Sequence, residues 1–177
     1  AWRDAVGYAE WAPTETLAAA IGQSDNLFTP IQICQYTAAI TTGNRYAAHL
    51  LYRVVDYGTG ETVQDETVTL IGNVTMRADT SAAVKQGMKQ VVTASASLRR
   101  LFRPVTDQGI TVGGKTGTAQ VLPTDSDNGL FTCVAPLENP QIAVTCVIER
   151  AGGGSAVVPT PAAMLEYFFA PAEDAAG

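Results

Sequence analysis

The sequence has one histidine in 177 residues, His49, so a multi-histidine metal site is excluded and any Ser-His-Asp relay would rest on that single residue. Cysteine is also scarce: Cys34, Cys133 and Cys146 have no metal-type spacing, and an odd number in a long chain makes no disulfide framework. All three read as small buried side chains. The apolar runs are short; "IAVTCVI", residues 142–148, is far below the roughly 18 to 20 residues of a spanning helix, and no signal peptide is visible. Basic runs are missing too. Acidic residues outnumber basic ones 17 to 11, for a net charge of −6, which argues against nucleic acid as a partner.

What is present suits a packed domain: 46% hydrophobic and 16% charged residues, with no repeats. "TPIQICQYTAAITTG" carries helix punctuation at both ends, with Thr29 as N-cap, Pro30 in the first turn, Gln32 closing a capping box and Gly43 beyond the end. A helix over 30–42 is predicted. His49, in "AAHLLYRVV", is expected to be structural. The adjoining stretch to Ile71 reads as a surface hairpin turning at Gly58 and Gly60. From Asp79, with Asp79 or Thr80 as cap, Val84, Met88, Val91 and Val92 recur at helical spacing, and Gly87 would mark close packing.

Three strand-like runs come next, 110–121, 130–135 and 141–149, with "PLENPQ" joining the last two as antiparallel neighbours. In the third, Ile142, Val144, Cys146 and Ile148 alternate with Ala143, Thr145 and Val147, so both faces need cover. The spacing of Cys133 and Cys146 permits a disulfide, which thiol counting decides. After the break "AGGGSA", Thr160 and Pro161 start a helix whose Met164, Leu165, Phe168 and Phe169 are expected in the core.

The informative stretch is "GITVGGKTGTAQ", residues 109–120. Its first eight residues match the phosphate-loop pattern G-x-x-x-x-G-K-[ST], whereas from Lys115 it is K-T-G-T, a motif of acyl-serine enzymes. A phosphate loop needs a buried strand before it and a helix at the Lys-Thr. Here "RRLFRPVTDQ" precedes it, and Gly117, Pro123 and Gly129 interrupt the segment where that helix would run. "LLYRVVD" to Asp56, a conceivable magnesium ligand, is better explained as hairpin. The residues therefore favour an extended strand at a sheet edge, with glycines at 113, 114 and 117 admitting substrate to the backbone.

With "AAIGQSDNLFTPIQICQYTAAITTGN", "VKQGMKQVVT", "GGKTGTAQ" and "LFTCVAPLENPQIAVTCVIE" in this order, the chain resembles the class B penicillin-binding proteins over essentially all of residues 1–177. The resemblance implies an α/β fold, a partial penicillin-binding-protein or β-lactamase-like transpeptidase domain with an antiparallel sheet flanked by helices. It implies a peptidoglycan D,D-transpeptidase acting on stem peptides and acylated by β-lactams, without cofactor or metal. The setting it implies is the outer side of the bacterial cytoplasmic membrane, with a membrane-anchored parent. Carried onto this sequence, Lys115 and Thr118 are catalytic, and Lys115, Thr116, Gly117 and Thr118 bind substrate: Lys115 as a fixed charge for the terminal carboxylate, Thr116 through its hydroxyl, Gly117 by leaving space, and Thr118 through its backbone N–H as half of an oxyanion hole.

The family's S-x-x-K nucleophile motif is absent, since no serine has lysine three residues on: Ser24, Ser81, Ser95, Ser97, Ser126 and Ser155 meet Leu27, Val84, Leu98, Arg100, Gly129 and Val158. Ser24-Asp25-Asn26 spells S-D-N, but it falls inside the I-G-Q segment, too late to be the second motif, and reads as a structural loop. The chain is thus expected to be the C-terminal part of a transpeptidase domain, inactive by itself and prone to self-association through an uncovered sheet edge. The competing implication is a non-catalytic, β-lactam-sensing module; a β-lactamase fits less well because it would not usually carry the I-G-Q and T-P-x-Q stretch.

Overall fold

The computed structural model describes residue 7 and residues 10–65, 68–120 and 126–170. The expected strand end at residue 121 and the proline at 123 lie outside that set. Two short elements open the described chain: helix α1, Pro13–Ala20, which starts on Pro13 with Glu15 of its first turn accepting from the Ala12 N–H, and the loop of residues 21–29 leading to helix α2, Pro30–Thr42.

Helix α2 begins and ends where its punctuation places it. Thr29 Oγ1 accepts from the Gln32 N–H at 3.4 Å, Gln32 Oε1 accepts from the Thr29 N–H at 2.8 Å, and Gly43, at φ +79°, closes the far end. Such a cap is worth about 1 kcal/mol. Strands β1 (Asn44–Tyr46) and β4 (Leu70–Asn73) pair antiparallel around the hairpin β2 (Arg53–Val55) and β3 (Thr62–Asp65). In the turn, Asp56 Oδ1 accepts from Gly58 N–H, Thr59 N–H and Thr59 Oγ1, and these bonds, those from Thr59 foremost, hold its carboxyl below the usual range. That carboxylate closes a turn, as a hairpin requires. His49, expected to be structural, is exposed, and its Nδ1 lies 2.6 Å from the Leu51 carbonyl oxygen.

Helix α3, Ala78–Ala94, starts one residue before the expected cap: Arg77 is the N-cap, and Asp79 sits inside the first turn paired with Arg77. Gly87 is exposed with no neighbour within 4 Å of where a Cβ would stand, so it does not mark close packing. Ser95 then caps helix α4, Ala96–Thr106, whose Leu98, Phe102 and Val105 are buried.

A three-stranded antiparallel sheet forms the centre, in the order β5 (Gly113–Ala119), β6 (Asn128–Ala135), β7 (Ile142–Ile148). A 3-10 turn, Gly154–Val157, leads to helix α5, Pro159–Phe168. On one face Phe131, Cys133 and Val144 pack with Leu98, Phe102, Val105, Val157, Ala162 and Leu165. Toward the other face, Met88, Val134 and Leu137 form a second cluster. The last strand has the cover its alternation demanded, α2 on one side and α5 on the other, until Val147 and Ile148, which are 37% and 41% exposed. In α5 only Leu165 of the expected stripe is fully buried; Met164 and Phe168 are each 49% exposed, and Phe169 packs partly against the core.

One polar seam crosses this packing. Thr37 of α2 lies 2.8 Å from Thr132 of β6, hydroxyl to hydroxyl, and Thr132 lies 2.7 Å from Thr145 of β7. Thr37 also donates to the Ile33 carbonyl at 2.9 Å. No buried side-chain nitrogen or oxygen among the described residues lacks a partner.

The cysteines match expectation in part. Cys133 is fully buried, and burial, with the nearby Cys34 adding to it, pushes its thiol up to about 12; Cys34 and Cys146 are half-buried. All three thiols are free. Cys133 stands opposite Val144 and Cys146 opposite Phe131, so the two are diagonal and not opposite.

Candidate active site

Lys115 lies in extended backbone. Residues 113–119 form β5 and pair with β6 from Gly113↔Val134 to Ala119↔Asn128, with neither a loop before the lysine nor a helix after it. This geometry removes the phosphate-loop alternative, which needs amides turned inward by a loop.

Strand β5 is at the sheet's edge, so one of its sides is bonded to β6 and the other is not. Two contacts identify which residues look outward. Lys115 Nζ donates to the Thr116 carbonyl at 2.6 Å, and Gln23 Nε2 donates to the Thr118 carbonyl at 3.0 Å. In an antiparallel pair, successive residues alternate between bonding the neighbour and facing away, with N–H and C=O leaving on the same side. The N–H groups of Thr116 and Thr118 therefore face the open edge together with their carbonyls, while Lys115 and Gly117 bond to β6.

Side chains alternate perpendicular to this. Lys115 shares a face with Thr132, its direct partner, and is exposed, with no carboxylate within ion-pair distance among the described residues. Thr116 and Thr118 belong to the face of Phe131 and Gly129. Thr116 is half-buried, and its hydroxyl reaches an edge ligand only around the strand. Thr118 Oγ1 accepts from the Gly154 N–H at 3.3 Å.

The glycines divide differently from expectation. Gly113 and Gly114 are buried, and a Cβ at the second would fall 2.5 Å from the Phe131 ring. Their missing side chains serve interior packing, not the approach of a substrate. Gly117 is half-buried beside Leu130.

Two neighbours of the strand carry no role in the motif reading. Gln23 is visible in sequence only as part of I-G-Q, and Gly154 only as part of a chain break. Neither gives a signal from spacing, because each acts across the fold: Gln23 is 95 positions from its acceptor and Gly154 is 36 from its own. Asn26 of the S-D-N tripeptide donates to the carbonyls of Ala19 and Gln23 at 2.8 and 3.0 Å, so its amide ties the loop together.

Comparison with known proteins gives a consistent picture. The profile of the penicillin binding protein transpeptidase domain matches residues 5–166. The peptidoglycan D,D-transpeptidase MrdA of Haemophilus influenzae is 28% identical over 173 residues, covering 89% of this chain and 26% of that protein. Among solved structures, penicillin-binding protein 2B of Streptococcus pneumoniae is similar with a TM-score of 0.68 at 27% identity, over 92% of this chain and 28% of that one. PBP2 of Pseudomonas aeruginosa, in complex with WCK 5153, is similar with a TM-score of 0.64 at 29% identity, over 93% and 34%. The chain thus spans about a quarter of the length of the MrdA relative.

Proposed function

The chain belongs to the penicillin-binding protein transpeptidase family, and from that we propose that it supplies the K-T-G-T wall of the active site of a serine D,D-transpeptidase of peptidoglycan. The supporting observation is the pairing of an exposed ammonium group with outward-facing backbone at one open strand edge, Lys115 beside Thr116 and Thr118. An acyl transfer from a stem peptide or a β-lactam needs a cation for a carboxylate and N–H donors for a developing oxyanion.

Lys115 takes the first role, binding the terminal carboxylate of the peptide or drug and leaving its present acceptor, the Thr116 carbonyl. Thr118 takes the second through its N–H. Gly117 keeps the strand narrow where the ligand lies, and Thr116 adds its hydroxyl at the edge. A serine outside residues 1–177 attacks the carbonyl carbon of the penultimate D-alanine; the amide bond breaks, an ester forms and the terminal D-alanine leaves with a proton. A half-hole without the serine is a poor catalyst.

This activity belongs on the outer side of the bacterial cytoplasmic membrane, in a membrane-anchored parent. No described helix is itself long and apolar enough to cross a membrane.

The test is acylation by a fluorescent penicillin, read by mass. The full-length protein is expected to gain one adduct, and the 177-residue chain alone none. An adduct on the isolated chain, or none on the full-length protein, overturns the reading; the second result favours a non-catalytic module.

The same reading gives the open edge of β7 and the exposed Val147, Ile148, Met164 and Phe168 a covering partner. The isolated chain is therefore expected to self-associate. Light scattering that finds a monodisperse monomer at micromolar concentration counts against this.

A further inference from the structure

The charges of this acidic chain are unevenly distributed. Residues 80–106 hold Lys85, Lys89, Arg99, Arg100 and Arg103 and no acidic residue, while the rest of the chain holds six basic residues against all 17 acidic ones. That segment is most of helix α3 and all of α4. Spacing by helical turns, invisible as a basic run, becomes alignment in space. Lys85, Lys89 and Thr93 climb one flank of α3 at i, i+4 intervals, about 6 Å apart, beside the face that buries Met88 and Val92. At the top of that flank Arg99 Nη1 donates to the Thr93 carbonyl, and Arg103 follows Arg99 one turn along α4. Arg99, Arg100 and Arg103 are exposed, and the two lysines are half-buried.

We propose that this row of cations is a docking track for a linear polyanion, a flexible phosphate-linked polymer lying along the α3–α4 flank and held by charge. Like charges at i, i+4 repel, so the row costs its helices stability that a bound polyanion restores. Counter-charge nearby is thin. Of the five cations only Arg103 forms an ion pair among the described residues, with Asp107 at 3.0 Å. The Glu138 carboxyl, held below its usual range by the Thr111 hydroxyl foremost, feels Lys89 and Lys85 least of its partners. The track is independent of the transpeptidase reading, since it uses no group of β5.

The surroundings of the row discriminate among anionic partners. Every exposed residue between Lys85 and Arg99 is small or polar, Gln86, Gln90, Thr93 and Ser97 among them, whereas a protein interface needs an apolar core with aromatic anchors. The one aromatic residue of the segment, Phe102, is fully buried, so the row has no stacking platform for nucleobases. An anionic bilayer is broad and would meet the acidic remainder of the chain as well as the row. A thin, flexible polymer follows the row alone. Three of the five cations are arginines, whose planar forks take two phosphate oxygens at once.

The experiment titrates the full-length protein into fluorescently labelled long-chain inorganic polyphosphate at several salt concentrations, read by anisotropy. The wild type is expected to bind, with log affinity falling linearly with log salt, and saturating polyphosphate should raise its thermal midpoint. Arg99→Gln and Arg100→Gln should each weaken binding about fivefold, the scale of one cation at an anionic surface, and flatten the salt slope by about one. Arg53→Gln on the β2–β3 hairpin changes the net charge equally and is expected to leave affinity and slope at wild-type values. Denaturation midpoints of the free variants, all at exposed positions, should match the wild type and so exclude misfolding as the cause. Equal losses in Arg53→Gln and the row variants, or no binding by the wild type, overturn the proposal. Tighter binding to poly-glutamate or to phosphatidylglycerol vesicles overturns it too, making the partner a protein or a membrane.

Discussion

Lys115→Ala in the full-length protein is expected to slow acylation by penicillin by about two to three orders of magnitude, the effect of losing one preorganised electrostatic contact in an acyl-transfer site, roughly 2.7 to 4 kcal/mol. The fold should not notice. Lys115 is exposed, and its bond to the Thr116 carbonyl is the one polar contact described for its side chain, so stability should change by less than about 0.5 kcal/mol. Lys115→Arg separates charge from shape. A guanidinium restores the positive charge but brings a planar fork where a compact ammonium stood, so partial recovery is expected. Stopped-flow acylation with a denaturant titration on the same samples checks both halves. A lysine that only solvates a strand would leave acylation unchanged.

The second large effect is on folding. A Cβ at Gly154 would fall 2.5 Å from the Gly117 oxygen, 2.8 Å from the Gly117 nitrogen and 2.8 Å from the Leu130 oxygen. All three are backbone atoms of the sheet, so no rotamer change relieves the clash. Gly154→Ala must push the 3-10 turn off β5 and β6, which strips the N–H from Thr118 Oγ1 and opens the core beneath Val157. A loss of about 3 kcal/mol or more is expected, the upper end of overpacking. Gly87→Ala is the control. It lies in the interior of α3 with nothing nearby and should gain up to about 1 kcal/mol from helix propensity. Denaturant midpoints moving in opposite directions confirm the pair; equal small shifts refute the packing argument.

Where the sequence is legible, a local rule decides the outcome. Helix α2 is readable because Thr29, Pro30, Gln32 and Gly43 each act within a few residues of themselves, and β5 to β7 because β-branched residues alternate between turns. Helix α4 is legible by the same local rule, since Leu98, Leu101, Phe102 and Val105 recur at helical spacing behind the Ser95 cap with Arg99, Arg100 and Arg103 on the opposite face, and only Pro104, tolerated in the last turns, speaks against it. Met164 and Phe168 are exposed against expectation because periodicity shows that a face is apolar, not that something covers it. In the candidate site, Lys115 to Thr118 are legible as a motif. The contacts that hold them, from Gln23 and Gly154, are not, because they depend on which distant segments the fold brings to the strand.

The three-hydroxyl seam of Thr37, Thr132 and Thr145 has a mechanical meaning for the wall that Lys115 occupies. A helix resting on a sheet through methyl groups alone can rotate or glide by a residue at small cost. Helix α2 is keyed instead: a turn by one residue would carry Thr37 off Thr132 and lose the bond between their hydroxyls, worth about 0.5 to 1.5 kcal/mol, while Thr37 keeps the Ile33 carbonyl and Thr132 keeps Thr145. Since Thr132 is the residue directly opposite Lys115, the key sets the azimuth of α2 against the very rung that bears the ammonium group.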